Sequence, residues 1–206
     1  MYIPAHFAAR PDAVENLLAS PGAANLVTMT DRGLLATLLP FAFNPVVGDH
    51  GALQAHMARN NPQWSSAPTG EALAIIHGPD DYISPSWYAS KVEHGRVVPT
   101  WNYSAVHVYG ELVVHDDAAW LGRHVRHLTG LHEGGREDPW AVDDAPEKYI
   151  AGQLRAIVGV ELVITRIDAK EKLSQNRSAA DAEGVAAGLR SIGREASAAA
   201  VERARS

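Results

Sequence analysis

The chain contains no cysteine, which removes disulfides and thiolate ligation and leaves His, carboxylate or Tyr side chains to hold any iron or zinc. No run approaches the ~18 to 20 consecutive apolar residues of a membrane span. The N-terminus also lacks a basic stretch followed by an apolar core. A cytoplasmic protein with no membrane partner is expected. A basic stripe is missing too: Lys and Arg total 18 against 24 Asp and Glu, a net charge of -6, and the cations are scattered. Nucleic-acid binding needs local positive charge to displace phosphate counterions, and no helical segment gathers Arg, Lys, Asn and Gln on one face. Nucleic acid is therefore disfavoured as a partner, with a small patch on a dimer left as the exception. There is no internal repeat. What is present, 206 residues of which 46% are hydrophobic and 20% charged, is the composition of one globular domain with or without an appendage.

Periodicity places the elements. Pro11 at a first turn, Asp12 and Glu15 near its positive end and Ser20-Pro21-Gly22 as a stop predict a short helix over Arg10 to Ser20. Asn25 to Thr30 and Leu34 to Phe41 are apolar runs separated by Asp31-Arg32-Gly33, a hairpin signal. Further strands are expected at Ala52 to Ala58, Ala72 to His77, Asp81 to Ser84, Trp101 to Val114 and Gly159 to Lys172. From Asp116 to His132 the pattern turns helical, with Trp120, Leu121, Val125, Leu128 and Leu131 on one stripe, and Pro146-Glu147 opens a second helix to Ile157. Ser178-Ala179-Ala180-Asp181 has capping-box spacing before a helix to about Leu189. Many strands followed by late helices predict a mainly β (α+β) antiparallel barrel with helices outside it, not a doubly wound sheet. Residues 1–190 form the expected domain, and residues 191–206, rich in Ala, Arg and Glu with little periodicity, read as a flexible tail.

Two segments mix aromatic faces, amides and a fixed cation where core strands carry aliphatics: Val98-Pro99-Thr100-Trp101-Asn102-Tyr103 and Lys172-Leu173-Ser174-Gln175-Asn176-Arg177. Such a set suits the rim of a flat heteroaromatic ligand with hydrogen-bonding edges, and equally a turn and a strand end whose Asn and Gln satisfy local backbone. His56 ends an apolar strand just before Arg59-Asn60-Asn61-Pro62. A neutral imidazole there suits iron ligation or a cofactor hydrogen bond, and Arg59 suits a phosphate or propionate; the alternative is a backbone-bonded His and an Arg covering a loop. His124 and His127 stand three apart, with His132 and Glu133 beyond them, but no third zinc ligand shares their face, so a solvated helix rim is expected. His107 reads as a strand residue with a polar partner. Asp143-Asp144 and Asp116-Asp117 read as anion clusters at helix starts.

Together with Met1-Tyr2-Ile3-Pro4-Ala5-His6-Phe7, the run from His56 to Pro62-Gln63-Trp64, and Gly78-Pro79-Asp80-Asp81-Tyr82-Ile83-Ser84-Pro85-Ser86-Trp87-Tyr88, these segments resemble the PaiB family in order and spacing. The resemblance implies an FMN-binding split barrel, a six-stranded antiparallel Greek-key barrel with peripheral helices, that is a homodimer and binds haem b or FMN. It implies a cofactor site drawn from Thr37, His56, Arg59, Ser84, Ser86, Trp87, Lys91, Thr100, Trp101, Asn102, Gln175 and Arg177, with His56 as the iron ligand if the cofactor is haem. Ser84, Ser86, Trp87 and Lys91 resemble the flavin-phosphate edge of that fold, and equally a Pro-punctuated turn with Trp87 as core. Many relatives carry His after the Thr that matches Thr37, where this chain has Leu38, so the resemblance does not carry over a polar contact at that position.

Two activities follow from the resemblance. One is a small-molecule enzyme similar to the haem-dependent piperazate synthases of the family, which cyclise N5-hydroxyornithine to piperazic acid by forming a nitrogen-nitrogen bond. The other is an FMN-binding negative transcriptional regulator or redox sensor. The missing basic face favours the enzyme; no catalytic base is assigned.

Overall fold

A computed structural model describes residues 1–205. The first hairpin forms where expected: β1 (Ala23–Thr30) pairs antiparallel with β2 (Gly33–Pro40), Thr30 standing opposite Gly33. Its turn needs Gly33, whose φ is +106°, a value that a side chain disfavours. The Thr30 hydroxyl closes the turn by donating to Gly33 O and accepting from Arg32 N. Then come β3 (Ala42–Asn44), β4 (Ala52–Ala58), β5 (Ala72–Ile83), β6 (Thr100–His115) and β7 (Ile157–Lys172). Their order in one sheet is β2-β1-β5-β6-β7-β4-β3, and β1 with β5, β3 with β4 and β4 with β7 pair antiparallel.

The sheet has seven strands where six were expected. The additional strand, β3, is three residues long and too short to show a period of its own. The separate strands expected at Ala72 to His77 and Asp81 to Ser84 are one, because β5 continues through Gly78-Pro79.

The helices are α1 (Pro11–Ala19), α2 (Ser90–Glu93), α3 (Ala118–Glu133), α4 (Glu147–Arg155), α5 (Ala179–Ser191) and α6 (Glu195–Arg203). Asp117 caps α3 by accepting from Trp120 N, and Ser178 caps α5 by accepting from Asp181 N, each satisfying an orphan first-turn donor. On α3 the buried positions are Leu121, Gly122, His124 and Leu128, while Leu131 is half exposed. The helix is therefore rotated from the expected stripe toward its histidines.

The chain forms two compact units. The first comprises Met1–Glu15, His77–Val106 and the chain from Asp168 onward; the second comprises Asn16–Ile76 and His107–Ile167. In the first, Ile83, Tyr88 and Leu173 pack with Val185 and Leu189 of α5 and with Ala198 and Val201 of α6. This corrects the flexible tail expected over 191–206 for residues 191–205, the last of that range lying outside the described residues. Ala-rich helices carry so weak a periodicity that the buried stripe Ser197, Ala198, Ala200 and Val201 is not visible in sequence. Gly188 is required by close approach, since a Cβ there would lie 2.3 Å from the Trp87 ring. In the second unit Gly159 plays the same part for Trp120, at 2.2 Å.

Candidate functional site

The second unit holds a column of aromatic nitrogens between β4 and α3. Along β4, Leu53, Ala55 and Met57 are buried, while Gln54 and His56 alternate with them on the other face. His56 Nδ1 lies 3.1 Å from His124 Nε2, and His124 is 3% exposed. The solvated rim expected at His124 is thus corrected, whereas His127, three residues on, is exposed. Trp120 stacks on His124 at 5.1 Å and on His115 at 4.1 Å. His115 Nε2 is 3.2 Å from Glu161 Oε2, and Gln54 Nε2 donates to Glu161 Oε1 at 2.5 Å. Beside this column is a cavity of about 510 Å³ whose lining includes Gln54, Trp120, Arg123, His124, His127 and Glu161.

Burial holds the His56 imidazole below its usual range, and burial with the facing His56, His127 and His115 pushes His124 down to about 4. At neutral pH the pair is uncharged and shares one N–H. If His56 donates it, His56 Nε2 keeps a bare lone pair able to bind iron. The remaining nitrogen of His124, Nδ1, is buried and has no hydrogen-bond partner among the described residues. Among the described residues no group of three or more His, Asp or Glu side chains is arranged to hold a metal ion.

The run after His56 is a structural plug. Gln63 is 1% exposed, and its Nε2 donates to Leu26 O, Thr28 Oγ1 and Leu35 O. The Thr37 hydroxyl donates to Gln63 Oε1 at 2.6 Å and accepts from Asn61 Nδ2 at 2.9 Å, so it fastens the plug to β2. Arg59 forks onto Asp116 at 2.6 and 3.0 Å and donates to Arg155 O and Ile157 O. The fork expected for a phosphate or propionate is closed on the protein itself.

In the first unit the two motif segments do meet. A pocket of about 120 Å³ is lined by Phe7, Thr100, Asn102, Lys172, Ser174, Asn176 and Arg177. Asn102, 2% exposed, exchanges hydrogen bonds with the Ser174 hydroxyl at 3.0 and 3.3 Å. Gln175 turns back onto its own loop, accepting from Leu173 N and donating to Glu171 O. Trp101 is 55% exposed, edge-on to Tyr82. Neither lines the pocket. The Ser84 segment is a local turn: Ser84 Oγ accepts from Ser86 N, Lys91 Nζ donates to Ser86 Oγ, and Trp87 packs against Gly188 of α5.

A family model described as "Putative FMN-binding domain" matches residues 1–166. The chain belongs to this PaiB-like FMN-binding family. It is 34% identical to protease synthase and sporulation protein PAI 2 of Bacillus subtilis, over 88% of this chain and 85% of that protein. Among solved structures, the conserved hypothetical protein Rv2991 of Mycobacterium tuberculosis superposes with a TM-score of 0.59 at 11% identity, covering 86% of this chain and 94% of that one. An FAD and haem binding protein of Mycobacterium smegmatis gives 0.54 at 19%, covering 79% and 71%. These likenesses establish the split-barrel fold. In this PaiB-like chain no described helix is long and apolar enough to cross a membrane.

Sequence reasoning named His56, Thr100, Asn102 and Arg177 as cofactor residues, assigned His124 to a solvated rim, held Lys172 and Ser174 only within their motif, and gave Glu161 no role. Lys172 and Ser174 stand in the motif as a cation and a hydroxyl two residues apart just past an aliphatic run; that signal was available. His124 sits between Leu121 and Leu128 on the helix, which was a second.

Proposed function

We propose that the protein is a cofactor-dependent small-molecule enzyme of the PaiB type, with haem b on His56 and an activity resembling piperazate synthase. The observation that carries this reading is the contact of half-buried His56 Nδ1 with buried His124 Nε2 at 3.1 Å; burial shifts both imidazoles toward the neutral form. His56 would hold the iron as a neutral imidazole whose second nitrogen is hydrogen-bonded, and His124 would be that partner. When bound, haem iron would supply a Lewis acid for the oxygen that leaves N5-hydroxyornithine. In the balanced reaction the α-nitrogen bonds to N5, the N5–O bond breaks, and water departs with a proton from the α-nitrogen. Glu161 lines the cavity and lies 3.2 Å from His115, and this pair would be the proton acceptor.

The family model supports a second reading, FMN binding in a regulator or redox sensor. The net charge of -6 weighs against direct DNA binding. The visible spectrum of the purified protein separates the two: a Soret band that His56→Ala abolishes supports haem on His56, and paired flavin bands with no haem uptake overturn it.

The assembly we propose is a homodimer. On one face of the sheet Leu34 and Leu38 are 66% and 61% exposed, and Met29, opposite Leu34, is 47% exposed. Val27 and Leu73 continue that face by register. A second copy would cover it, and Leu38→Lys would then yield a monomer in light scattering.

A further inference from the structure

The pocket of the first unit differs from the histidine column in chemistry. Its lining carries an ammonium, a guanidinium, two amides, two hydroxyls and the Phe7 ring, and no carboxylate. Among the described residues Lys172 Nζ donates to two neutral acceptors, Thr100 Oγ1 and Trp101 O, both at 2.5 Å. An ammonium has three donors, so one remains. The Arg177 guanidinium lies 4.6 Å from the Tyr88 ring. Asp181, the carboxylate that feels Arg177, is taken up at 2.9 Å by both Ser90 N and Ser90 Oγ. We infer that this pocket is an oxyanion site, which binds a phosphate group, free or as the monoester end of a larger ligand, between Lys172 and Arg177.

Three further observations fit. Ser174 is held at φ +66°, a left-handed conformation that is costly without glycine, and the buried Asn102 amide fixes it there with its hydroxyl turned to the amide. The site is thus built rather than open surface. Burial and the neighbouring Lys170 and Arg177 depress the Lys172 ammonium, so like charges crowd one another and an anion between them would relieve the repulsion. At about 120 Å³ the pocket has the space of roughly four waters, each ~30 Å³. A phosphate group fits that space.

The inference does not rest on the haem reading, and its test needs no cofactor. The cofactor-free full-length protein is titrated with inorganic phosphate and with chloride at equal ionic strength, followed by calorimetry and melting temperature. Phosphate is expected to bind one site per chain and to raise the melting temperature where chloride does not. Arg177→Gln should weaken phosphate at least tenfold, with Arg177→Lys intermediate because charge survives and the fork is lost. Should Arg177→Gln fail to fold, Asn176→Asp, at an exposed rim position, should weaken binding as much by repulsion. Competition by FMN but not riboflavin identifies the source as a phosphate monoester; competition by neither identifies free phosphate. Stabilisation by phosphate no greater than by chloride, or wild-type affinity in Arg177→Gln or Asn176→Asp, overturns the inference.

Discussion

In the second unit the imidazoles of His56 and His124 face each other against Trp120 without a carboxylate and are held neutral. In the first, Lys172 and Arg177 flank a pocket of amides and hydroxyls with no carboxylate in its lining. Neither the His56 and His124 contact nor the pocket lining includes a carboxylate, yet the outcomes differ because the side chains do. An imidazole with a pKa near 6.5 sheds its proton when buried, whereas a guanidinium cannot at any accessible pH. The first arrangement suits a neutral ligand to a metal, and the second keeps a charge that an anion can satisfy.

The contrast can be broken from either side. The largest effect is expected from His56→Ala in protein loaded with haem: the Soret band should vanish or shift strongly while circular dichroism stays unchanged, because His56 is not part of the β4 face that packs the core. An unchanged spectrum would place the iron elsewhere. Next comes α6. Ending the chain at Gly193 removes the buried Ala198, Ala200 and Val201 and should cost about 3 to 5 kcal/mol in urea unfolding, from the apolar area lost. A truncated protein as stable as the full chain would restore the tail to a passive appendage.

Acid should act on the second unit. His124 titrates near 4 when folded, against the ordinary 6.5 of an exposed imidazole. The unfolded chain therefore binds more protons between those values, and stability is fully present above pH 6.5 and falls as pH drops toward 4. The loss attributable to His124 is roughly 3 kcal/mol, from 1.4 kcal/mol per pKa unit. His124→Gln should flatten that slope in urea midpoints measured at pH 7 and pH 4.5; an identical slope would mean that the pair is not neutralised by burial.

Smaller still, Gly159→Val forces a side chain against Trp120. It should cost about 1 to 3 kcal/mol as overpacking, disturb the tryptophan fluorescence and loosen the His115 and His124 stack. Asp116→Asn, which frees the exposed Arg59 fork, should move the unfolding midpoint least. If freeing it were instead to tighten haem binding, Arg59 would regain the propionate role that the structure gives to Asp116.

The sequence by itself determined the local structure with a strong signature: the Gly33 turn, the Asp117 and Ser178 caps, and the alternation along β4 and β6 that sets faces. It also determined the family through ordered motifs, since five segments in register constrain a fold more than any one of them. Only the tertiary structure decided which motif residues are spent internally. Arg59, Thr37 and Gln175 are polar, well placed and already satisfied by Asp116, Gln63 and Glu171, partners far away in sequence except for Glu171. It also decided that His124 is buried and that α6 is core. Both follow from what an element packs against, and a period read along one segment does not contain the neighbour that buries it.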